Sequence, residues 1–362
     1  MAFVVATIFQ STLGLRLFDG VVPLSVISQL DQIVIVFLVF IGSVVFLGAS
    51  GVVPAMLAYL AAFVTVAGVG ILYFLRPGIV RRLQLEWMIS PDATQYRASG
   101  VIANSNFLGL FVAVGIAALV VLIAWYVRSG RALPALTAMV AASAGVVAML
   151  LTLSRAAILA VGLGVVVATA RASLRAAVAL AIAGILIVTI AYPIFLDLRL
   201  NRTFGSSSGA GQAAQSASDD LRATQAVAAI RAFLDAPVLG HGFGTFSELS
   251  PEYSRQTVLT SAHNAFLKLA AEQGAIGLGL FLAFLGAAVV ALWRAGIGPW
   301  SAGLAVLGVI GLFSLTGDTL ASAQATSPAF VLLALAFIAA EHRLDPFEDR
   351  RADIDDAPPG AA

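Results

Sequence analysis

The chain has 362 residues, of which 60% are apolar and 11% are charged. A soluble domain has about a quarter of its residues charged, so this composition excludes a soluble globular enzyme, a disordered protein and a collagen-like protein, and it indicates a chain whose solvent is largely lipid. The net charge of +1 gives no electrostatic basis for binding nucleic acid, and a chain without cysteine has no disulfide, thiolate nucleophile or Cys-ligated metal site.

Long apolar runs predict an all-α polytopic membrane protein with about ten spanning helices, within a range of ten to twelve. The first run, residues 1–15, lacks the basic start of a secretory signal, and we interpret it as a span that is retained. The predicted spans are residues 1–15, 32–50, 52–74, 106–127, 132–153, 155–170, 176–195, 264–293, 298–315 and 328–340.

Arginine in the short connections predicts the orientation of these spans. Counting spans places three arginine-bearing loops on one face, which is cytoplasmic because basic residues in short loops are retained there. Arg16 would lie on the outer face and counts against the first span. The arginines of the three loops are Arg128, Arg131, Arg171, Arg175 and Arg294.

The same count divides the chain into four parts. Residues 1–196 form the N-terminal spans and include an outer loop at 74–105. Residues 197–262 form one large extracytoplasmic loop, residues 263–340 form three further spans, and residues 341–362 form a cytoplasmic tail that we predict to be disordered. The two outer segments and the tail carry six, eleven and ten charged residues respectively.

Arginine is also frequent on the predicted outer face, where the orientation rule does not favour it. Its planar guanidinium matches phosphate and carboxylate oxygens, which indicates an anionic, phosphate-bearing ligand. The alternative is that outer acids such as Asp219, Asp220 and Asp235 pair with these arginines, and that a GC-rich genome encodes arginine in place of lysine. The outer arginines are Arg76, Arg81, Arg82, Arg97, Arg155, Arg199, Arg202, Arg222, Arg231 and Arg255.

The large loop divides into three predicted parts. Residues 205–218 are rich in Gly, Ser, Ala and Gln and predict a flexible loop tip. Residues 219–234 predict a short amphipathic helix whose apolar face lies on or near the membrane surface. Residues 236–246, APVLGHGFGTF, are not a nucleotide-binding fingerprint, and their glycines predict tight turns or a close approach to a ligand.

A polar helical face opens the span that follows the loop. Asn264, Lys268 and Glu272 are spaced at i, i+4 and i+8, and charged groups in a span normally face protein or a wet cavity. A lone histidine is more often a capping or packing residue, but His263 stands at the start of this polar face. His241 is the other histidine able to reach the outer surface.

Arg155, in the sequence SRAA between two apolar runs, has two interpretations. It is either an arginine that reaches the headgroup layer or a fixed positive charge in the same outer layer as His263 and Arg222.

These residues together resemble the O-antigen ligase and polymerase superfamily of bacterial membrane glycosyltransferases. The resemblance covers most of the chain and rests on the order of several short motifs. His263 is followed by ten residues and Gly274, a spacing that is similar to that of the ligase branch. The other motifs are RASGVIANSNFLG (97–109), LTLSRAAIL (151–159), the helix of Arg222, APVLGHGFGTF (236–246) and AHNAFLKLAAEQGAIG (262–277).

The resemblance implies transfer of a glycan from a polyprenyl (undecaprenyl) diphosphate to an acceptor hydroxyl at the outer face of the cytoplasmic membrane. It implies that Arg155 and Arg222 hold the diphosphate and that His263 acts near the acceptor hydroxyl, with inversion and without a metal or other cofactor. Secondary candidates for binding the carrier or the glycan are Arg97, Arg81, Arg82, Asn264, Lys268, Glu272 and His241. The family commonly has about twelve spans and a larger loop, and the present chain departs from it in both respects.

Three other functions remain open at this point. A polymerase would extend carrier-linked repeats, with the same donor chemistry. A transporter or flippase of lipid-linked sugars would show internal repeats and midplane charges, whereas the predicted spans carry few charges apart from Asp318, Asp31 and the Lys268 and Glu272 pair. A structural membrane subunit would not need the outer arginine and histidine residues.

Overall fold

The computed structural model describes residues 24–76, 79, 97–98, 101–102, 104–204, 209–254 and 261–343. The described residues form eleven α-helices and two short 3-10 helices, without strands, so the predicted all-α architecture is confirmed. Eight helices are long and apolar enough to cross a membrane. The predicted span at 1–15 and the candidates Arg81 and Arg82 lie outside the described residues.

The helices follow one another with short connections up to the large loop, except for the longer outer segment between α2 and α3. α7 and α8 belong to that loop, and α9 to α11 follow it. The bounds are α1 Leu24–Phe46, α2 Gly48–Leu75, α3 Ser105–Arg128, α4 Ala132–Thr152, α5 Arg155–Ala172, α6 Leu174–Phe204, α7 Gly209–Asp235, α8 Phe246–Ser254, α9 Ala265–Arg294, α10 Ala302–Ser314 and α11 Ala323–Glu341.

The predicted span at 298–315 is shorter than a full membrane helix. It consists of a 3-10 turn, Pro299–Ser301, followed by α10, and together they form a short apolar helix at Pro299–Ser314. The residues after its C-terminal end nevertheless contact the start of α9, since Ala265 N donates to Gly317 O at 3.2 Å. The short helix therefore connects the two ends of the bundle.

Helix α3 is the centre of the bundle, and most of its residues are buried against α4, α5, α10 and α11. Small residues permit close helix crossings, as expected where helices pack without a hydrophobic force from water. A Cβ on Gly308 of α10 would lie 2.9 Å from Gly164 Cα of α5, so the two backbones touch at this crossing. By contrast, α6 is almost entirely exposed along its apolar span, which leaves it facing lipid.

The loop helix α7 is longer than predicted. It begins at Gly209 rather than at 219, because the Ala and Gln residues after Gly209 favour helix, so a flexible loop tip is wrong for 209–218. Its buried alanines, Ala228, Ala229 and Ala232, pack against Phe246 of α8 and Ala271 of α9. The alanine face is therefore covered by protein, whereas Val227, Ile230 and Leu234 of α7 are exposed, so contact of an apolar face with the membrane surface stays a prediction.

Candidate active site

A cavity of about 290 Å³ lies at one end of the bundle, where the starts of α3, α5 and α9 meet α7 and the end of α10. It brings together Arg155, Arg222 and His263, which are far apart in the sequence and which the sequence predicted as one site. The lining residues are Asn104, Asn106, Phe107, Ser154, Arg155, Ala156, Arg222, Ser261, His263, Phe313, Thr316, Gly317 and Asp318.

A tight turn between α4 and α5 places Arg155 at the mouth of this cavity. Leu153 has a left-handed backbone, with φ 52°, and Ser154 caps α5 by accepting a hydrogen bond from Ala157 N at 3.4 Å. Arg155 is thereby the first residue of α5, and its Nη2 donates to Asp219 Oδ1 of α7 at 2.9 Å. Both side chains are partly exposed, so this ion pair orients α7 more than it stabilises the fold.

Arg222 follows Asp219 by three residues on α7, which puts both side chains on one helical face. Its side chain is half-buried, and no acceptor among the described residues forms a hydrogen bond with it. Burial lowers the pKa of Arg222, and the nearby positive charge of Arg155 lowers it further, while Asp219 opposes the shift. Two guanidinium groups therefore face one cavity. Asp219 pairs with Arg155, and Asp318 in the cavity lining pairs with Lys268, so the cavity keeps an excess of positive charge that attracts an anion.

His263 lies at the start of α9 with a left-handed backbone, at φ 52°, which is uncommon for a residue with a side chain. The next residue holds it there: Asn264 caps α9 by accepting from Leu267 N at 3.0 Å and donates its amide to Leu315 O at 3.1 Å. Burial lowers the pKa of His263, and Arg222 lowers it further against the opposing charge of Asp318. A neutral imidazole is thus favoured, and a neutral imidazole can accept a proton.

Asp318 is a cavity residue to which sequence reasoning assigned no role. It is buried, accepts from Lys268 Nζ at 2.7 Å and accepts from Ser261 Oγ at 3.1 Å. Lys268 also donates to Gln29 of α1. In the sequence, Asp318 is recognisable only as an acid at the outer end of an apolar run. Its partner Lys268 lies fifty residues earlier, and only helix packing brings the two together. Lys268 therefore neutralises Asp318 from behind the cavity and does not line it.

Glu272 supports the glycine-rich segment instead of lining the cavity. Its Oε1 accepts from Phe246 N at 3.1 Å, and its carbonyl accepts from Gly242 N at 2.8 Å. Gly240 has φ 68°, and a Cβ on it would lie 2.4 Å from the Glu272 carbonyl. The close approach expected for these glycines is therefore made to the backbone of α9.

Gly274 explains why a glycine follows His263 after ten residues. It has φ 62° and ψ −164°, which breaks α9, and a Cβ on it would lie 2.3 Å from Val238 O. The break frees backbone donors, and Ala275 N donates to Pro237 O at 2.8 Å. The break at Gly274 therefore lets residues 237 and 238, which follow α7, pack against α9. This contact fixes α7, and Arg222 on it, relative to the helix that begins after His263.

His241 belongs to a separate cluster with Asp235 and Tyr253. Its Nε2 lies 3.3 Å from Asp235 Oδ2 and 3.0 Å from the Tyr253 hydroxyl, which donates to Asp235 at 2.8 Å. Hydrogen bonds from Tyr253 and His241 lower the pKa of Asp235, while burial and Asp235 raise the pKa of Tyr253 to about 12. This cluster joins α7 to α8, and none of the three residues lines the cavity.

Arg97 is buried beside the cavity, and its contacts are with the protein. Its Nε donates to Thr152 O at 2.7 Å and its Nη2 donates to Asn106 Oδ1 at 3.0 Å. Asn106 lines the cavity and Thr152 precedes the turn of Arg155. This geometry gives Arg97 a positioning role for the site; direct contact with a glycan stays a prediction.

Within the described ranges no three His, Asp or Glu side chains are grouped to hold a metal ion, and metal independence also stays a prediction.

Comparison with known proteins gives one family match. Residues 139–282 match the family model described as O-antigen ligase. No curated protein matches the chain. The matched region includes Arg155, Arg222 and His263, and it ends before Asp318. The chain is therefore similar to the O-antigen ligase family over residues 139–282, less than half of its length, and this similarity supports the resemblance to the O-antigen ligase superfamily.

Proposed function

We propose that this protein is a membrane glycosyltransferase that moves a glycan from polyprenyl (undecaprenyl) diphosphate to an acceptor hydroxyl. The observation that carries the proposal is a single cavity lined by Arg155, Arg222 and His263 at one end of the bundle. The match to the O-antigen ligase family supports a glycosyltransferase-like activity in general. The carrier, the acceptor and the role of each residue are our proposals.

The chemistry follows from the charges at the cavity. As the bond between the anomeric carbon and the diphosphate breaks, negative charge develops on the leaving phosphate oxygen. Arg222, which forms no hydrogen bond or ion pair within 4 Å among the described residues, and Arg155 stabilise that charge. The acceptor hydroxyl attacks the opposite side of the anomeric carbon and transfers its proton to the neutral imidazole of His263. Direct displacement inverts the anomeric centre, and these steps require no metal.

The experiment that tests this function uses the purified full-length protein in liposomes with a polyprenyl-diphosphate-linked oligosaccharide. We expect transfer to an added glycan acceptor, release of polyprenyl diphosphate and activity in the presence of EDTA. One glycan joined to a different acceptor identifies a ligase, whereas a ladder of repeats on the carrier identifies the alternative, a polymerase. Movement of the intact donor across the bilayer without transfer would instead indicate a flippase and would contradict the proposal.

We also propose that the cavity faces outward from the cytoplasmic membrane and that the C-terminus is cytoplasmic. The support is the distribution of arginine, because Arg128, Arg171 and Arg294 end α3, α5 and α9 at the end opposite to the cavity. Basic residues in short loops favour the cytoplasmic side.

Cysteine labelling tests this orientation cleanly, because the chain contains no cysteine. We expect an impermeant maleimide to label Glu252→Cys, on the exposed side of α8, in intact cells. Ser129→Cys, exposed after α3 at the opposite end, should be labelled only after the membrane is permeabilised. The cysteine-free parent is the background control, and the reverse labelling pattern would overturn the proposed orientation.

A further inference from the structure

A second cavity lies at the end of the bundle opposite to the candidate active site. It has a volume of about 110 Å³ and is formed by the last turns of α3 and α5 and by the turn between α9 and α10. Its polar lining consists of Arg128, Arg171, Thr169 and Ser301, and the remaining walls are mostly apolar. The cavity therefore combines two positive charges with an apolar interior at the edge of the membrane-spanning region.

The guanidinium of Arg171 is held in place by Trp293, near the end of α9. Its Nε donates to Trp293 O at 3.3 Å, and its guanidinium carbon lies 5.2 Å from the centre of the indole ring. Neither Arg171 nor Arg128 pairs with a carboxylate among the described residues. A stacked guanidinium without an acid partner is preorganised for an external anion.

Trp125 adds a buried donor to the same cavity. It lines the cavity, and its indole Nε1 is buried and has no hydrogen-bond partner in the described part of the chain. Buried donors are nearly always paired in folded proteins, so this N–H calls for an acceptor, and a ligand in the cavity beside the indole ring would supply one.

We propose that this cavity binds the phosphate group of an anionic phospholipid in the leaflet opposite to the candidate active site. A space of this size takes a phosphate but not an oligosaccharide, which separates it from the donor site. Arg128 and Arg171 bind the phosphate oxygens, and the apolar walls, such as Val121 and Ile297, contact the first methylene groups of the acyl chains. The bilayer supplies such a lipid at this depth, because the cavity lies at the ends of spanning helices.

The binding test uses the full-length protein in detergent and native mass spectrometry with phosphatidylglycerol or phosphatidylcholine. We expect one phosphatidylglycerol to be retained preferentially. Arg128→Gln and Arg171→Gln should each weaken its binding roughly tenfold, the effect of losing one charge-assisted contact. Trp125→Phe, which keeps the aromatic ring and removes only the N–H, should weaken it about threefold.

Matched controls come from the same face of the protein. Arg175→Gln and Arg294→Gln remove the same charge outside the cavity, and each should change the affinity less than about twofold. Equal losses in all four arginine variants would mean diffuse surface attraction and would overturn the proposal. So would equal binding of the two lipids. Displacement of the lipid by inorganic phosphate or glycerol 1-phosphate at matched concentration would overturn the lipid assignment in favour of a soluble phosphate. Unchanged thermal unfolding of each variant shows that it is folded.

Discussion

We expect His263→Ala to reduce the rate of glycan transfer about 10²- to 10⁴-fold, the range typical of losing a general base. The acceptor hydroxyl needs a proton acceptor at the cavity, and His263 is the residue there whose neutral form is favoured by burial and by the charge of Arg222. The measurement is the initial transfer rate in liposomes at saturating donor. Retention of donor binding with loss of transfer would separate this role from a structural one.

The pH dependence of the native protein gives an independent check. Since the base is active when neutral, activity should rise with pH through the pKa of His263. That pKa is held below the ordinary value of about 6.5, so the acid limb of the profile should lie below about pH 6.5. Removing the neighbouring positive charge in Arg222→Gln should raise the pKa of His263 and move the acid limb of the residual activity to higher pH.

His342→Ala is the matched control for His263, because it removes an imidazole after α11, at the opposite end of the bundle. We expect it to leave the transfer rate and the pH profile unchanged. Full activity in His263→Ala would remove His263 from the mechanism. An acid limb that persists unchanged in that variant would assign the titration to another group.

Arg222→Ala should reduce transfer about 10²- to 10³-fold, as expected when one fixed donor to a developing negative charge is lost. The effect should exceed that of Arg155→Ala, because Arg155 shares its charge with Asp219 at 2.9 Å and Arg222 has no such partner among the described residues. Arg222→Lys keeps the charge but loses the planar pair of donors, so an intermediate rate is expected. Steady-state rates at varied donor concentration measure all three.

The matched control for Arg222 is Arg231→Ala on the same helix. Arg231 is exposed and donates to Tyr253 O at 3.0 Å, outside the cavity lining. It should retain near-native activity. Equal losses at Arg222 and Arg231 would indicate that the variants act by disturbing α7 and not through the diphosphate.

The sequence predicted the fold class and the lengths of most spans because both depend on one local property. A helix in lipid satisfies its own backbone hydrogen bonds, so an apolar run of sufficient length marks it without reference to any other part of the chain. The same local patterns predicted a helix at Arg222 and the polar face that begins at Asn264. The prediction of a loop tip was wrong at 209–218, which continue α7, because the Gly and Ser residues there were given more weight than the Ala and Gln residues that favour helix.

The candidate site was predicted only in part for a related reason. The motifs around Arg155, Arg222 and His263 suggested one site through their resemblance to a family, although the three residues are separated by many helical turns. Sequence spacing placed Asn264, Lys268 and Glu272 on one face, but it could not say what covered that face. In the structure Lys268 pairs with Asp318, and Glu272 holds the backbone of the loop.

Taken by itself, the sequence determined an all-α membrane protein, a strongly uneven distribution of charge and the identity of the residues available for chemistry. Only the tertiary structure decided that Arg155 and Arg222 share a cavity with His263, that Asp318 joins them, and that Arg97, His241 and Glu272 are held by other parts of the protein. The physical reason is that periodicity and length describe one helix at a time. Which side chains meet depends on the packing between helices and on the breaks in them, such as Gly274, that no local pattern specifies.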